Sequence, residues 1–442
     1  MASLGYFMVI LDATIVNIAL PTIGHDLRAG LRALEWVVDG YTLTFAAALL
    51  TGGALGDSFG ARRGFGLGLG LFALASAACG LAPVTGALVA ARFVQGLGAA
   101  LLVPCSLALV RVAYPDAGDR GRAVSIWIGA GGAAVAAGPV IGGLLIDALG
   151  WRAIFLVNVL VGAVGIAFTA TRLTAALPVP RRIDVVGLLT ALAAVGGLTF
   201  VLIEGPHLGW TGPVVLGAAA AMVLGAVMFV RYEGRVPEPM FPLELARRPA
   251  FVGASIAAGL ITLAFFGVVF VLSLFFQQIL GQSALVAGLS FLPMTGLIGG
   301  ANLAAPAVAR RIGSLPTIIA GELIFAVGLL GVLTVNAHSS ELAVALALVP
   351  IGLGGICVPP LTSRLLDAVP PELAGVAAGA YNATRQVGAA IGVAVFGALV
   401  VSTRGSQFLR GMRLSLLMGS GAIVVGAALS LALLRHRAAV SD

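Results

Sequence analysis

Apolar runs of about 20 residues, each long enough to cross a bilayer core of about 30 Å as a helix, recur from one end of this chain to the other. Fourteen can be drawn, at 4–23, 36–56, 64–82, 85–110, 123–146, 153–172, 184–204, 211–230, 251–279, 285–309, 315–335, 341–363, 374–400 and 412–434. Helical spans satisfy their own backbone hydrogen bonds in hydrocarbon, so the pattern predicts an all-α, multi-pass membrane protein. The first span lacks a basic flank and carries Asp12, so it is expected to stay as a helix rather than act as a cleaved signal peptide.

The spacing of the spans suggests a repeat. Six spans end in a polar segment at 171–184 that holds Pro178, Pro180, Arg181 and Arg182. Two more spans follow, and the Pro-rich stretch 231–249 leads into a last block of six. This predicts an N-terminal six-helix bundle over 1–172, two inserted transmembrane helices with their linkers over 173–250, and a C-terminal six-helix bundle over 251–442. Duplicated halves that rock around a midplane site are common in secondary transporters.

Composition agrees with the span pattern: 60% of residues are hydrophobic, 10% are charged, and mean hydropathy is +1.10. A soluble domain carries about 25% charged residues. The net charge is +7, and all 25 basic residues are arginine. With Arg172 and Arg413, at span edges, counted with their flanking segments, seventeen arginines fall on one side of the fourteen spans and six on the other, while Arg92 and Arg385 lie well inside spans. By the positive-inside rule this places both termini in the cytoplasm and the chain in the cytoplasmic (inner) membrane. The excess charge therefore reports topology and gives no sign of nucleic-acid binding. Cys79, Cys105 and Cys357 lie in apolar runs and suggest neither disulfides nor a metal site. The sequence has no His-Glu-x-x-His and no P-loop, and its Gly-x-Ser-x-Gly, Gly56 to Gly60, follows an apolar span instead of the strand a nucleophile elbow needs, so neither enzyme chemistry nor a cofactor is expected, and an ion gradient is left as the energy source.

Charges inside the spans need an explanation, because each costs on the order of 2.5–3.5 kcal/mol on insertion scales. Asp12 lies roughly 12 Å from the inner end of span one, and Arg92 roughly 10 Å from the outer end of span four. Asp39 begins only three residues into span two. Arg92 could pair with either acid. An Arg lowers a neighbouring carboxyl's proton affinity and desolvation raises it, so a site alternately wet and dry can take up and release a proton. Asp12 and Asp39 are the proton-carrying candidates, with Arg92 tuning them; the competing reading is a fixed ion pair between helices. Glu322 in span eleven is a further proton candidate, or a hydrogen bond to a neighbouring helix. Asp147 and Glu204, near outer ends, are expected to reach water.

Four segments carry more than hydrophobicity. They are Leu11-Asp12-Ala13-Thr14-Ile15-Val16-Asn17-Ile18-Ala19-Leu20-Pro21; the inner turn Gly53-Ala54-Leu55-Gly56-Asp57-Ser58-Phe59-Gly60-Ala61-Arg62-Arg63; Ala91-Arg92-Phe93-Val94-Gln95-Gly96-Leu97-Gly98; and Gly138-Pro139-Val140-Ile141-Gly142-Gly143 in span five. Small residues in the last segment allow close helix approach, and Pro139 bends the helix. In this order the four segments resemble the signature motifs of the major facilitator superfamily, and more narrowly of its fourteen-helix drug:proton antiporters. Trp36 to Tyr41 and Trp151 to Asn158 extend the resemblance over essentially the whole chain.

The resemblance implies a major facilitator fold in which spans one and four line a central cavity. It implies a proton-coupled antiporter, working as a monomer in the lipid bilayer, that exports lipophilic drugs or antibiotics, cationic ones included, by alternating access. The alternative is a dedicated exporter or proton symporter of a single metabolite, sugar or lipid. Gly53, Asp57, Gly60, Arg62, Gly138, Pro139, Gly142 and Gly143 would serve gating. Asn382, Arg385 and Gln386 share a face at i, i+3 and i+4 and would either line the substrate cavity or form a packing network, and Asn17, Gln95, Gln277, Gln278 and Asn302 are further substrate-cavity candidates. The chain departs from the gate motif at Ser58 and Ala61, where basic residues are usual, and in the second half Arg310 stands where the Asp would be. The stretch Tyr381-Asn382-Ala383-Thr384-Arg385-Gln386 lacks the acid some relatives carry there, which speaks against a strong preference for dications.

Overall fold

The computed structural model describes residues 1–114, 116–172, 184–236, 239–336, 338–370, 373–400 and 405–434, without the side chains of Asp57, Ala117, Gly118, Gly121, Ala170, Thr171, Arg172 and Glu341. The linker residues Pro178, Pro180, Arg181 and Arg182, and the Asp57 side chain assigned to gating, therefore lie outside the described parts. The chain divides into two compact units, residues 1–240 with 282–289, and residues 241–281 with 290–442.

Among the described residues the regular elements are all helical. The first unit contains α1 (Ala2–Asp26), α2 (Leu31–Phe59), α3 (Ala61–Gly80), α4 (Thr85–Ala113), α5 (Ala117–Leu149), α6 (Ala153–Arg172), α7 (Val185–Leu208) and α8 (Pro213–Glu233). In the second, α9 (Pro249–Leu274) runs into a π-helical turn, Phe275–Ile279. The short α10 (Ala284–Ser290) follows, with residues up to Leu289 in the first unit. The chain then forms α11 (Leu292–Ile312), α12 (Ser314–Val332), α13 (Glu341–Gly354), α14 (Val358–Asp367), α15 (Ala374–Leu399) and α16 (Gly405–Leu433).

Twelve described stretches, rather than the fourteen drawn from the sequence, are both long and apolar enough to cross a membrane. They are α1 to α5, α7, α8, α9 with its π turn, α10–α11, α12, α13–α14 and α16. The apolar part of α6, Ala153–Thr169, is shorter than the rest. Helix α15 is not among the twelve, and Asn382, Thr384, Arg385 and Gln386 interrupt its apolar surface.

Helix α2 begins at Leu31, five residues before the apolar span drawn from the sequence. Arg32 and Glu35 had marked the edge of that span, yet both are helical, and Glu35 is buried. Asp39 consequently sits more than two turns inside α2 instead of at its rim. In the first unit α2 and α3 pack on α4, α1 packs on α5, and α7 pairs with α8 while also touching α2. In the second, α9 packs on α15 and α16, and α12 on α13 and α16.

The turn between α2 and α3 recurs in the second unit. Gly60 has φ 84° and ψ 138°. Gly313, between α11 and α12, has φ 93° and ψ 152°. Both values lie where a side chain is strained and glycine is not. The turn geometry has thus been kept where the second half's sequence motif has decayed to Arg310-Arg311-Ile312-Gly313.

Candidate functional site

Asp12 lies at the centre of a buried polar knot drawn from five helices of the first unit. Its Oδ2 accepts from Arg92 Nη1 on α4 at 2.5 Å. Its Oδ1 accepts from Gln95 Nε2 and from Asn158 Nδ2 on α6, each at 2.9 Å. Arg92 also donates to Val37 O on α2 at 2.9 Å and to Gln95 Oε1 at 2.6 Å. Gln95 in turn donates to Ser76 Oγ on α3 at 2.7 Å. The guanidinium carbon stands 4.2 Å from the centroid of the Tyr41 ring, a cation–π contact. Asp12 is 0% and Arg92 1% exposed. A charged pair this deep is tolerable only when its lone pairs and protons are used, and here the donors converge on both carboxylate oxygens. Of the two acids open to Arg92 from the sequence, Asp12 is the one it contacts.

Asp39 is bonded differently. It is 0% exposed, and among the described residues neither carboxylate oxygen has a hydrogen-bond partner. One turn earlier, Glu35 is 1% exposed and its two oxygens are likewise without partners. Arg32, Glu35, Trp36 and Asp39 follow i, i+3, i+4, i+7 spacing and share one face of α2. Glu204 of α7 meets that face, with Oε1 accepting from Trp36 Nε1 at 2.9 Å and Oε2 lying 3.2 Å from Arg32 Nη1. Glu204 was expected to reach water and is instead buried against α2. The sequence reading missed Glu35, Ser76 and the role of Asn158. The spacing of Arg32, Glu35, Trp36 and Asp39 was the available signal for the first, obscured by ending the span at its first charges.

In the second unit, Glu322 on α12 is buried, with Oε1 accepting from Ser430 Oγ of α16 at 3.1 Å and Oε2 unpartnered. Gln277 and Gln278 fall on the π-helical turn, the former half-buried and the latter exposed. The carbonyl oxygen of Asn302 on α11 is buried without a partner. Asn382, Arg385 and Gln386 are half-buried along α15, with Arg385 5.9 Å from the Tyr381 ring centroid. In the first unit Asn17 is buried and donates to Ala13 O at 3.0 Å, while Gln95 belongs to the Asp12 knot.

The gating candidates are mostly close-packed. A Cβ on Gly138 would overlap Thr14 Oγ1, and one on Gly142 would press on Ile15. On Gly143 it would overlap the backbone of Ala284 and Leu285 in α10. Beside these, Asp147 Oδ2 accepts from Leu285 N at 3.2 Å. Helix α5, which carries Pro139 in its interior, is therefore seated on α1 and on α10 through its glycines. Between α2 and α4 the close approach falls at Gly52, against Ala100 O; Gly53 has only an ordinary contact, 3.7 Å to Pro104. Arg62 donates to Thr169 O of α6 at 3.1 Å.

A bundle of long apolar helices, a repeated glycine turn and an acid–arginine knot between α1 and α4 together define a membrane transporter. Residues 2–393 match the Major Facilitator Superfamily, and the chain belongs to that superfamily. It is 40% identical over 400 residues to a methylenomycin A resistance protein of Streptomyces coelicolor, covering 90% of this chain and 84% of that protein. It is 37% identical over 404 residues to the multidrug resistance protein Stp of Mycobacterium tuberculosis, covering 90% and 74%. To the tetracenomycin C resistance and export protein of Streptomyces glaucescens it is 37% identical over 409 residues, covering 92% and 76%. Among solved structures, a peptide transporter POT in complex with sulfate superposes with a TM-score of 0.72 at 17% identity, covering 98% of this chain and 92% of that one. The Escherichia coli xylose transporter XylE superposes with a TM-score of 0.66 at 14% identity, covering 98% of both. These two likenesses speak for the fold alone.

Proposed function

We propose that this protein is a proton-coupled antiporter that exports lipophilic compounds, cationic ones included, by alternating access. The observation that carries the reading is Asp39, a fully buried carboxyl without a donor, on the helix next to a locked Asp12–Arg92 pair. A charge in that position is not offset by water or by protein, so a proton is the partner that suits it. Asp12 holds Arg92, and Asp39 carries the proton. The cargo class comes from the relatives, whose names are those of antibiotic-resistance and export proteins.

The same reading takes fourteen spans, with α6 and α15 crossing beside the other twelve stretches, both termini in the cytoplasm and a monomer in the inner membrane. Residues 173–250 form the inserted pair between two six-helix bundles. Glu322 is a secondary proton site, and the half-buried polar face of α15, with Gln277 and Asn302, contributes to cargo contacts. A narrower reading, export of one dedicated antibiotic, is favoured by the relatives named for resistance to a single compound.

The test is substrate-driven proton movement in proteoliposomes containing the full chain, with ethidium, methylenomycin A and tetracenomycin C as cargoes. Proton release on addition of more than one cargo supports broad antiport, and a response to one alone supports the dedicated exporter. Efflux that proceeds equally with the proton gradient collapsed and no other gradient present overturns proton coupling.

A further inference from the structure

We propose that the inserted helix α7 completes a proton-loading path on α2, in which Glu204 at the accessible end passes protons through Glu35 to Asp39. The proposal rests on the antiporter reading above and assigns to the inserted pair a part in energy coupling.

Four observations carry it. The three carboxyls are arranged along one α2–α7 seam, since Glu35 and Asp39 share the α2 face that Glu204 meets through Arg32 and Trp36. Exposure falls along the seam: the side chain of Arg32 is 49% exposed and that of Glu204 9%. Further in, Glu35 is 1% and Asp39 0% exposed. Compensation falls in the same direction, because Glu204 has two donors while the four oxygens of Glu35 and Asp39 have none. The Trp36 ring, 6.1 Å from the rings of both Phe93 of α4 and Phe200 of α7, walls the seam with apolar surface.

The chemistry is proton transfer alone. A proton arriving from water is taken by the Glu204 carboxylate, handed to Glu35, and then to Asp39 one turn deeper. A step of i to i+4 is about 6 Å along the axis, within reach of a side-chain swing or one bridging water. No bond other than O–H is made or broken. Arg32 and Trp36 hold Glu204 oriented between transfers. The helices packed against α2 also carry Arg92 and Asp12, which are paired with each other, and His207, exposed one turn beyond Glu204, while Tyr6, His25, Asp26, Arg62, Arg63, Cys79, Cys105 and Arg111 lie elsewhere on α1, α3 and α4. The buried Tyr41 hydroxyl donates to Val9 O, so it leaves the buried acids to carry the proton.

The full-length protein in liposomes, with ethidium as cargo, tests the path. The readouts are the pH profile of proton-driven efflux and its ratio to cargo counterflow. Glu35→Gln and Glu204→Gln are each expected to lower the ratio and shift the pH profile, and Glu35→Asp to restore both. Wild-type ratio and profile in both Gln variants overturn the path and leave antiport standing. Absence of cargo-driven proton movement in the wild type overturns antiport and the path together, as does efflux driven by sodium alone. Should the variants fail to fold, a hydrophobic carbodiimide applied to the wild type reads protonation directly. Peptide mapping at neutral pH is expected to find adducts on Glu35 and Asp39, and unlabelled acids overturn the proposal.

Discussion

Asp12 and Asp39 are both aspartates fully buried within spans, yet replacing each by asparagine should have unequal structural effects. Asp12→Asn leaves Arg92 buried without its counter-charge, a loss of about 3–5 kcal/mol when one partner of a buried pair is taken away. Asp39→Asn breaks no hydrogen bond, because neither oxygen makes one. Thermal unfolding in detergent should therefore show a marked drop for Asp12→Asn and none for Asp39→Asn. The proton-driven component of efflux should be lost in Asp39→Asn despite its intact fold. Equal destabilisation of the two variants would mean that Asp39 has a structural partner. The sequence made both acids legible as anomalies, since a charge in an apolar span stands out. Their different bonding was not legible, because it depends on Gln95, Asn158 and Ser76 arriving from α4, α6 and α3.

At the scale of the element, glycines on one helix should differ sharply in what they tolerate. Helix α5 carries Gly143 with the α10 backbone against it, while at Gly129 and Gly132 a Cβ would have open space around it. Alanine suits a helix interior better than glycine by roughly 0.5–1 kcal/mol where space allows. Overpacking a filled contact costs typically about 1–3 kcal/mol. Gly129→Ala and Gly132→Ala should hold or raise the melting temperature, and Gly143→Ala should lower it and impair efflux. A neutral Gly143→Ala would mean that α5 and α10 separate freely. The Gly-Pro motif announced close packing but not against what, since its α1 partners Thr14 and Ile15 lie more than a hundred positions before it. Its second partner, α10, lies as far away on the other side in sequence, so neither contact was legible before the helices were placed. The start of α2 was misjudged for a related reason. A hydropathy window stops at Arg32 and Glu35, whereas α7 supplies Arg32 with a carboxylate and allows the helix to begin earlier.

For the whole molecule the sharpest question is whether the inserted pair crosses the bilayer. Helix α8 has 21 residues, and at 1.5 Å per residue it is about 31 Å long, matching a hydrocarbon core of about 30 Å. If α7 and α8 both cross, the turn at 209–212 faces outward and the segment following Glu233 faces the cytoplasm. Single cysteines at Thr211 and at Arg235, both exposed, probe the two ends of α8. The native cysteines Cys79, Cys105 and Cys357 are buried, so a membrane-impermeant thiol reagent should leave them unmodified. In intact cells Thr211→Cys should label readily, and Arg235→Cys only after permeabilisation. Labelling of both from outside, or of neither, would mean that α8 does not span. Glu204 would then lie outside the membrane path, and α7 would have no carboxyl to lend to α2. The reverse pattern would invert the orientation drawn from the arginines and place the Arg32–Glu204 end of α2 in the cytoplasm. Protons would then enter the seam from the side to which a cargo exporter should release them, so the direction of coupling turns on these two cysteines.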